Sequence, residues 1–194
     1  MTKLLIIFFA TIWTNNIAFT YILGMCPFIS LSRSMKTAVG MSIAVVFVVV
    51  LTAAINWPVY HLILVPYKSE IIYYIVFIIV IAATVQLLEM IMGKFFPVLE
   101  AMFGIFLPLI TVNCIVLAVS LFMVLRNYSF RESIVFAFGS SVGWMFAIIV
   151  VAAINEKLNL IGDIPDGLKG PGIVLIIAGI ISLAFLGFAG MVNL

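Results

Sequence analysis

The feature that most restricts this chain is the spacing of its apolar runs. Each is close to the roughly 20 residues that a helix needs to cross a hydrocarbon core about 30 Å thick, and short polar or Pro/Gly-containing breaks separate one run from the next. Lipid offers no water to backbone groups, so such runs are helical unless they close into a barrel, and the period-2 alternation of barrel strands is missing. Hydrophobic residues make up 66% of the chain and charged residues 8%, against about half and a quarter in a soluble domain. The mean hydropathy is +1.42. An all-α integral membrane protein is expected.

The length rule places about six spans: Leu4 to Met25, Thr37 to Trp57, Ile71 to Met92, Ala101 to Leu125, Ser133 to Ile154 and Pro171 to Val192. The first follows Lys3 and has the look of a signal peptide, yet it lacks a small-x-small cleavage site after a normal apolar core, so a retained span is expected. The formal charge of +2 comes from residues scattered in the breaks, and no nucleic-acid signature is present. Lys3, Lys68, Arg126 and Arg131 fall on one side of the six-span topology. Arg33, Lys36, Lys94, Lys157 and Lys169 fall on the other. The positive-inside rule places the second set in the cytoplasm only by this narrow margin.

The chain also echoes itself. Thr14-Asn15-Asn16 matches Thr111-Val112-Asn113, Ala53-Ala54-Ile55-Asn56 matches Ala152-Ala153-Ile154-Asn155, and Gly40 falls on Gly139. Halves with an odd number of spans must enter the membrane from opposite sides. The expected architecture is therefore six transmembrane helices as two inverted three-helix repeats, with broken helices near the midplane. It forms a single transmembrane domain over 1–194, with halves near 1–94 and 95–194. The alternative is chance similarity between apolar helices that share a small alphabet.

The only two cysteines, Cys26 and Cys114, lie one in each half. Cys26 sits in Leu23-Gly-Met-Cys-Pro-Phe28, at the end of the first apolar run. A straight helix would carry it to the far interface, whereas a break near Asn15-Asn16 or at Gly24-Met25-Cys26-Pro27 holds it deeper. Pro27 removes a backbone donor and biases Cys26 away from the α conformation. Cys114 lies near the middle of the fourth run, a turn and a half after Pro108. A disulfide suits small secreted domains better than an apolar interior. Simple packing of buried thiols is the plain alternative to a ligand role.

Leu23-Gly-Met-Cys-Pro-Phe28, Thr37-Ala-Val-Gly-Met41, Gly104-Ile-Phe-Leu-Pro-Leu-Ile-Thr-Val-Asn-Cys114 and Leu183-Ala-Phe-Leu-Gly-Phe-Ala-Gly190 together resemble the RnfA/NqrE family over essentially the whole chain. Pro27 is more similar to the Rnf branch than to the quinone-reductase branch. The resemblance implies a multi-span subunit of a bacterial inner-membrane complex that couples electron transport to Na+ or H+ translocation. That complex is either the Rnf ferredoxin:NAD oxidoreductase or the sodium-translocating NADH:quinone reductase. It implies a homologous RnfE/NqrD-like partner of opposite orientation, contacts with other Rnf subunits and with lipid, and a [2Fe-2S] cluster held between the pair. Cys26 and Cys114 are the ligands carried over. A [2Fe-2S] cluster takes four thiolates, so the partner must supply two. In the repeat register Cys26 falls opposite Met123, so the thiols converge only if the first span bends or breaks.

Other residues have plainer readings. Glu89, a turn after Gln86 in the third span, is an intramembrane carboxylate and thus a functional candidate, or it snorkels toward Lys94. Asn15, Asn16 and Asn113 orient backbone or sulfur, or join helices by hydrogen bonds. Gly139-Ser-Ser-Val-Gly143, echoed by Gly40-Met-Ser-Ile-Ala44, reads as close helix packing. His61 stands alone in a loop. Trp13, Trp57 and Tyr60 suit membrane interfaces. No nucleotide-binding or hydrolytic motif is present, so nicotinamide or flavin chemistry would belong to other subunits. The rival function is a cofactor-free inverted-repeat transporter or scaffold.

Overall fold

The computed structural model describes residues 2–31, 34–65, 72–95, 113–161 and 170–189. All the regular structure among them is helical. In chain order the elements are α1 (Thr2–Ile12), α2 (Ile17–Thr20), α3 (Met25–Leu31), α4 (Met35–Val59), α5 (Ile72–Phe95), α6 (Cys114–Leu125), α7 (Phe130–Ile161) and α8 (Pro171–Ala189). A π-helical stretch, Tyr60–Leu64, prolongs α4. Three helical stretches, Met35–Leu64, Ile72–Ile91 and Phe130–Leu160, are long and apolar enough to cross a membrane, and α1, α6 and α8 are shorter apolar helices.

α4 and α7 form the central pair and make the most extensive helix–helix contact. Val45, Val48 and Val49 of α4 and Trp144, Ala147, Ile148 and Val151 of α7 are all buried in the apolar core. α1 lies along α7, α6 packs on α4, and α8 covers α2. α5 is peripheral: 17% of its apolar window is buried, against 56% for α7. Its outward Ile75, Ile78, Ile79 and Leu87 therefore face lipid or another subunit rather than this chain's core.

Four buried hydroxyl side chains inside the helices are satisfied locally. Thr11 donates to the Ile7 carbonyl, Ser42 to Ala38, Thr52 to Val48 and Ser120 to Val116, each one turn back. This lets α1, α4 and α6 carry polar atoms through an apolar interior.

Several sequence expectations need correcting. The first span is no continuous helix from Leu4 to Met25: it breaks twice, at residues 13–16 and 21–24. Pro27 does not end a helix. It lies in the first turn of α3, where no intrahelical partner awaits its missing N–H, so Cys26 is helical. The second and fifth spans overshoot their expected ends at Trp57 and Ile154. Asn56 stops nothing because its amide Nδ2 donates to Ser120 Oγ at 2.7 Å. His61 lies in the π-helical stretch rather than a loop, its ring 4.3 Å from that of Trp57. The stretch follows Pro58, which removes an N–H inside α4; lost or shifted bonds of this kind are a recognised origin of π-turns and bends. Of the fourth span, residues 101–112, with Pro108 and Thr111, lie outside the described residues. So do Lys68, Arg33, Lys169 and the end of the sixth span.

Candidate functional site

Asn16 and Asn113 stand at the starts of α2 and α6. Asn16 has extended backbone (φ −65°, ψ 115°) and its Oδ1 accepts from the N–H of Ala18, capping α2. Asn113 has nearly the same backbone (φ −72°, ψ 118°) and accepts from the N–H of Ile115, capping α6. Each cap satisfies one of the orphan donors of a helix start. Both side chains are buried, so the non-helical backbone is enclosed by protein as an apolar setting requires.

The glycine pair of α7 makes room for the first break. A Cβ on Gly139 would collide with Thr11 Oγ1, and one on Gly143 would lie 3.1 Å from the Thr11 carbonyl and 3.3 Å from Asn16 Nδ2. The close approach lets Asn16 Nδ2 donate to the Gly143 carbonyl at 2.9 Å as well as to Ile12 at 3.1 Å. Gly139-Ser-Ser-Val-Gly143 thus acts as the packing face expected of it.

The second break brings the cysteine segments together. After α2 the chain passes through Ile22 and Gly24, both at positive φ (53° and 80°), and enters α3 at Met25. The turn lies against α6 and α7: a Cβ on Gly24 would sit 2.6 Å from Trp144 Nε1 and 3.4 Å from Asn113 Oδ1. Phe28, on the other side of Cys26, meets the Trp144 ring edge-on, with centroids 6.4 Å apart. The stretch from Gly24 to Phe28, the turn and the start of α3, therefore straddles Trp144, and its glycine abuts the residue before Cys114. Cys114 opens the first turn of α6, rather than lying mid-helix as its place in the apolar run suggests. Both cysteines are free thiols, Cys26 exposed and Cys114 half-buried.

Two polar groups at this turn have no partner among the described residues. Asn113 Nδ2 and Trp144 Nε1 are buried and unbonded, in side chains that are 3% and 0% exposed. An unpaired buried donor costs on the order of 1–3 kcal/mol. Sequence reasoning passes over Trp144, because nothing local marks a tryptophan inside an apolar run; only the fold places it under residues 24–28.

The remaining candidates are dispersed. Glu89 is half-buried and Gln86 exposed on the peripheral α5. Among the described residues, no three His, Cys, Asp or Glu side chains are grouped to hold a metal ion. Elsewhere a cavity of about 350 Å³ is lined by Trp57, His61, Tyr128 and Glu132, among others. A second, of about 570 Å³, shares Tyr128 and Glu132 and adds Lys3 and Arg126. Neither cavity contains a cysteine.

Comparison with known proteins identifies the family. The family model described as "Rnf-Nqr subunit, membrane protein" matches residues 4–192. The chain belongs to the Rnf-Nqr family. Among its relatives, an ion-translocating oxidoreductase complex subunit from Syntrophotalea carbinolica is 44% identical over 99% of both chains. A proton-translocating ferredoxin:NAD(+) oxidoreductase complex subunit from Clostridium ljungdahlii is 42% identical over the full length of both. A Na(+)-translocating NADH-quinone reductase subunit from Idiomarina loihiensis is 44% identical over 95% of this chain and 96% of its own. Overall identity thus does not separate the two branches of the Rnf-Nqr family.

Proposed function

We propose that this chain is a six-span subunit of a bacterial inner-membrane, ion-translocating oxidoreductase complex, and that Cys26 and Cys114 supply half the ligands of an intramembrane [2Fe-2S] cluster. A homologous subunit of opposite orientation supplies the other half. The observation that carries the reading is the seating of the Gly24 turn on Asn113 and Trp144, which brings the Cys26 segment to the start of the Cys114 helix.

The residues fit the group. A [2Fe-2S] centre takes four thiolates, and two reduced, unenclosed thiols on adjoining segments are half that set. Asn113, the residue before Cys114, and Trp144, against the Gly24 turn, each carry a buried N–H donor with no partner among the described residues. When bound, such a centre carries one electron at a time. Gly24 turns the chain so that Cys26 enters α3 beside α6, Asn113 starts α6 at Cys114, and Trp144 fills the space beneath the loop. Asn16 and Asn113, with matching backbone angles and matching caps, support two inverted three-helix halves. The relatives' names support electron transport coupled to Na+ or H+ movement within a multi-subunit complex. Rnf-type ferredoxin:NAD oxidoreduction is the first assignment, on Pro27; a role in a quinone reductase is the second, on the 44% identity to such a protein.

Iron content and low-temperature EPR of the intact membrane complex, compared with Cys26→Ser and Cys114→Ser, test the reading. Loss of one cluster signal from an otherwise assembled complex is expected in each variant. An unchanged signal would reject the ligand assignment and favour a cofactor-free transporter or scaffold.

A further inference from the structure

The paired caps differ in one respect. Asn16 and Asn113 use their side-chain oxygens in the same way, but Asn16 Nδ2 is spent on two carbonyls while Asn113 Nδ2 has no partner among the described residues. The second unpartnered donor, Trp144 Nε1, adjoins the same glycine turn. Both side chains are more than nine-tenths buried. The amide of Asn16 is fully used, one of its acceptors being Gly143 of the other half, whereas Asn113 Nδ2 and Trp144 Nε1 have no acceptor among the described residues of this chain. Donors repel a cation, so the missing acceptor is negatively charged or at least rich in lone pairs.

Resting on the reading of Cys26 and Cys114 as cluster ligands, we propose that Asn113 and Trp144 are positioning residues whose side-chain N–H groups donate to sulfur at that centre and raise its reduction potential. N–H donors favour the reduced, more negative state of an iron–sulfur centre, so their number is one of the levers by which a protein sets its potential. The two side chains come from different segments, the cap of α6 and the middle of α7, and both adjoin Gly24, Trp144 through Nε1 and Asn113 through Oδ1. They are therefore sensitive to how the cysteine loop sits.

The experiment is an EPR-monitored redox titration of the intact complex with Trp144→Phe, which removes the ring N–H. Asn113→Ser keeps a capping oxygen and removes the amide, and Trp144→His retains a ring N–H. The midpoint potential falls in the first two and returns toward wild type in the third if the proposal holds. Unchanged potentials with full iron content overturn it, leaving the donors to a buried water. Pulsed EPR of wild-type complex carrying 15N-indole tryptophan decides the matter even where a variant fails to assemble. Coupling of 15N to the reduced cluster supports the proposal, and its absence overturns it. A wild-type complex with no signal assignable to Cys26 and Cys114 would instead reject the ligand reading itself.

Discussion

At the scale of single residues, the site depends on a glycine that no other residue replaces. Gly24 has φ +80°, and a Cβ there would be 2.6 Å from a ring nitrogen held in the core. Gly24→Ala is expected to cost about 1–3 kcal/mol from backbone alone, with displacement of the loop from Trp144 in addition. Thermal unfolding in detergent and the EPR signal should both register it. Ile22 presents the opposite case: a β-branched side chain at φ 53° and largely exposed. Ile22→Asn should raise stability by about 1 kcal/mol in the same assay, since asparagine tolerates the left-handed region. The two asparagine caps should separate as well. Asn16→Ala loses a cap and both donor bonds, so it should destabilise by more than the roughly 1 kcal/mol of a cap alone and by more than Asn113→Ala. The cysteines, the asparagines and Gly24 are legible in the sequence because polar, thiol and glycine residues are conspicuous in apolar runs. Trp144 is not, since its importance arises from a contact between residues more than a hundred positions apart.

At the scale of elements, existence is easier to read than length. The apolar stretches of α4, α5 and α7 are evident from hydropathy, but Ala-Ala-Ile-Asn looks like an end in the second and fifth spans and is not one. Asparagine ends a helix in lipid only when it has no partner within reach, and the partner of Asn56, Ser120, belongs to another helix. Pro27 misleads for the same reason: whether a proline breaks a helix or starts one depends on where the preceding turn falls, and Gly24 sets that. The Gly139–Gly143 face is legible because small residues four apart are a local pattern. Gly139→Leu should push α1 off α7, where overpacking typically costs about 1–3 kcal/mol, and a loss of thermal stability with loss of folded yield in detergent is the expected result. Gly179→Leu, at a position where an added Cβ meets nothing within 4 Å, should be tolerated in the same measurement.

At the scale of the whole molecule, the chain folds around α4 and α7 and leaves unfinished surfaces elsewhere. Its two thiols are not enclosed, and α5 is largely uncovered. Such a chain should hold less than one complete cluster when purified alone. Iron and sulfide analysis of the isolated protein, set against the intact complex, checks this: stoichiometric iron in the lone chain would contradict a shared centre. The positive-inside reading is weak because the basic residues are nearly balanced, and no arrangement of neighbours compensates for that in a single sequence.

The bond between Asn16 and Gly143 spans 127 residues, and this bears on biogenesis. α1 has 11 residues, roughly 16 Å of helix at about 1.5 Å per residue, too short to traverse the bilayer unaided. Its neighbouring break gains the Gly143 acceptor for Asn16 Nδ2 only once α7 has been synthesised. α1 is thus made well before α7 but reaches its final state only with it, and its residence in the bilayer is a property of the folded chain. Truncation before α7 should leave the amino-terminal segment prone to degradation, whereas truncation after α7 should restore its protection from proteolysis.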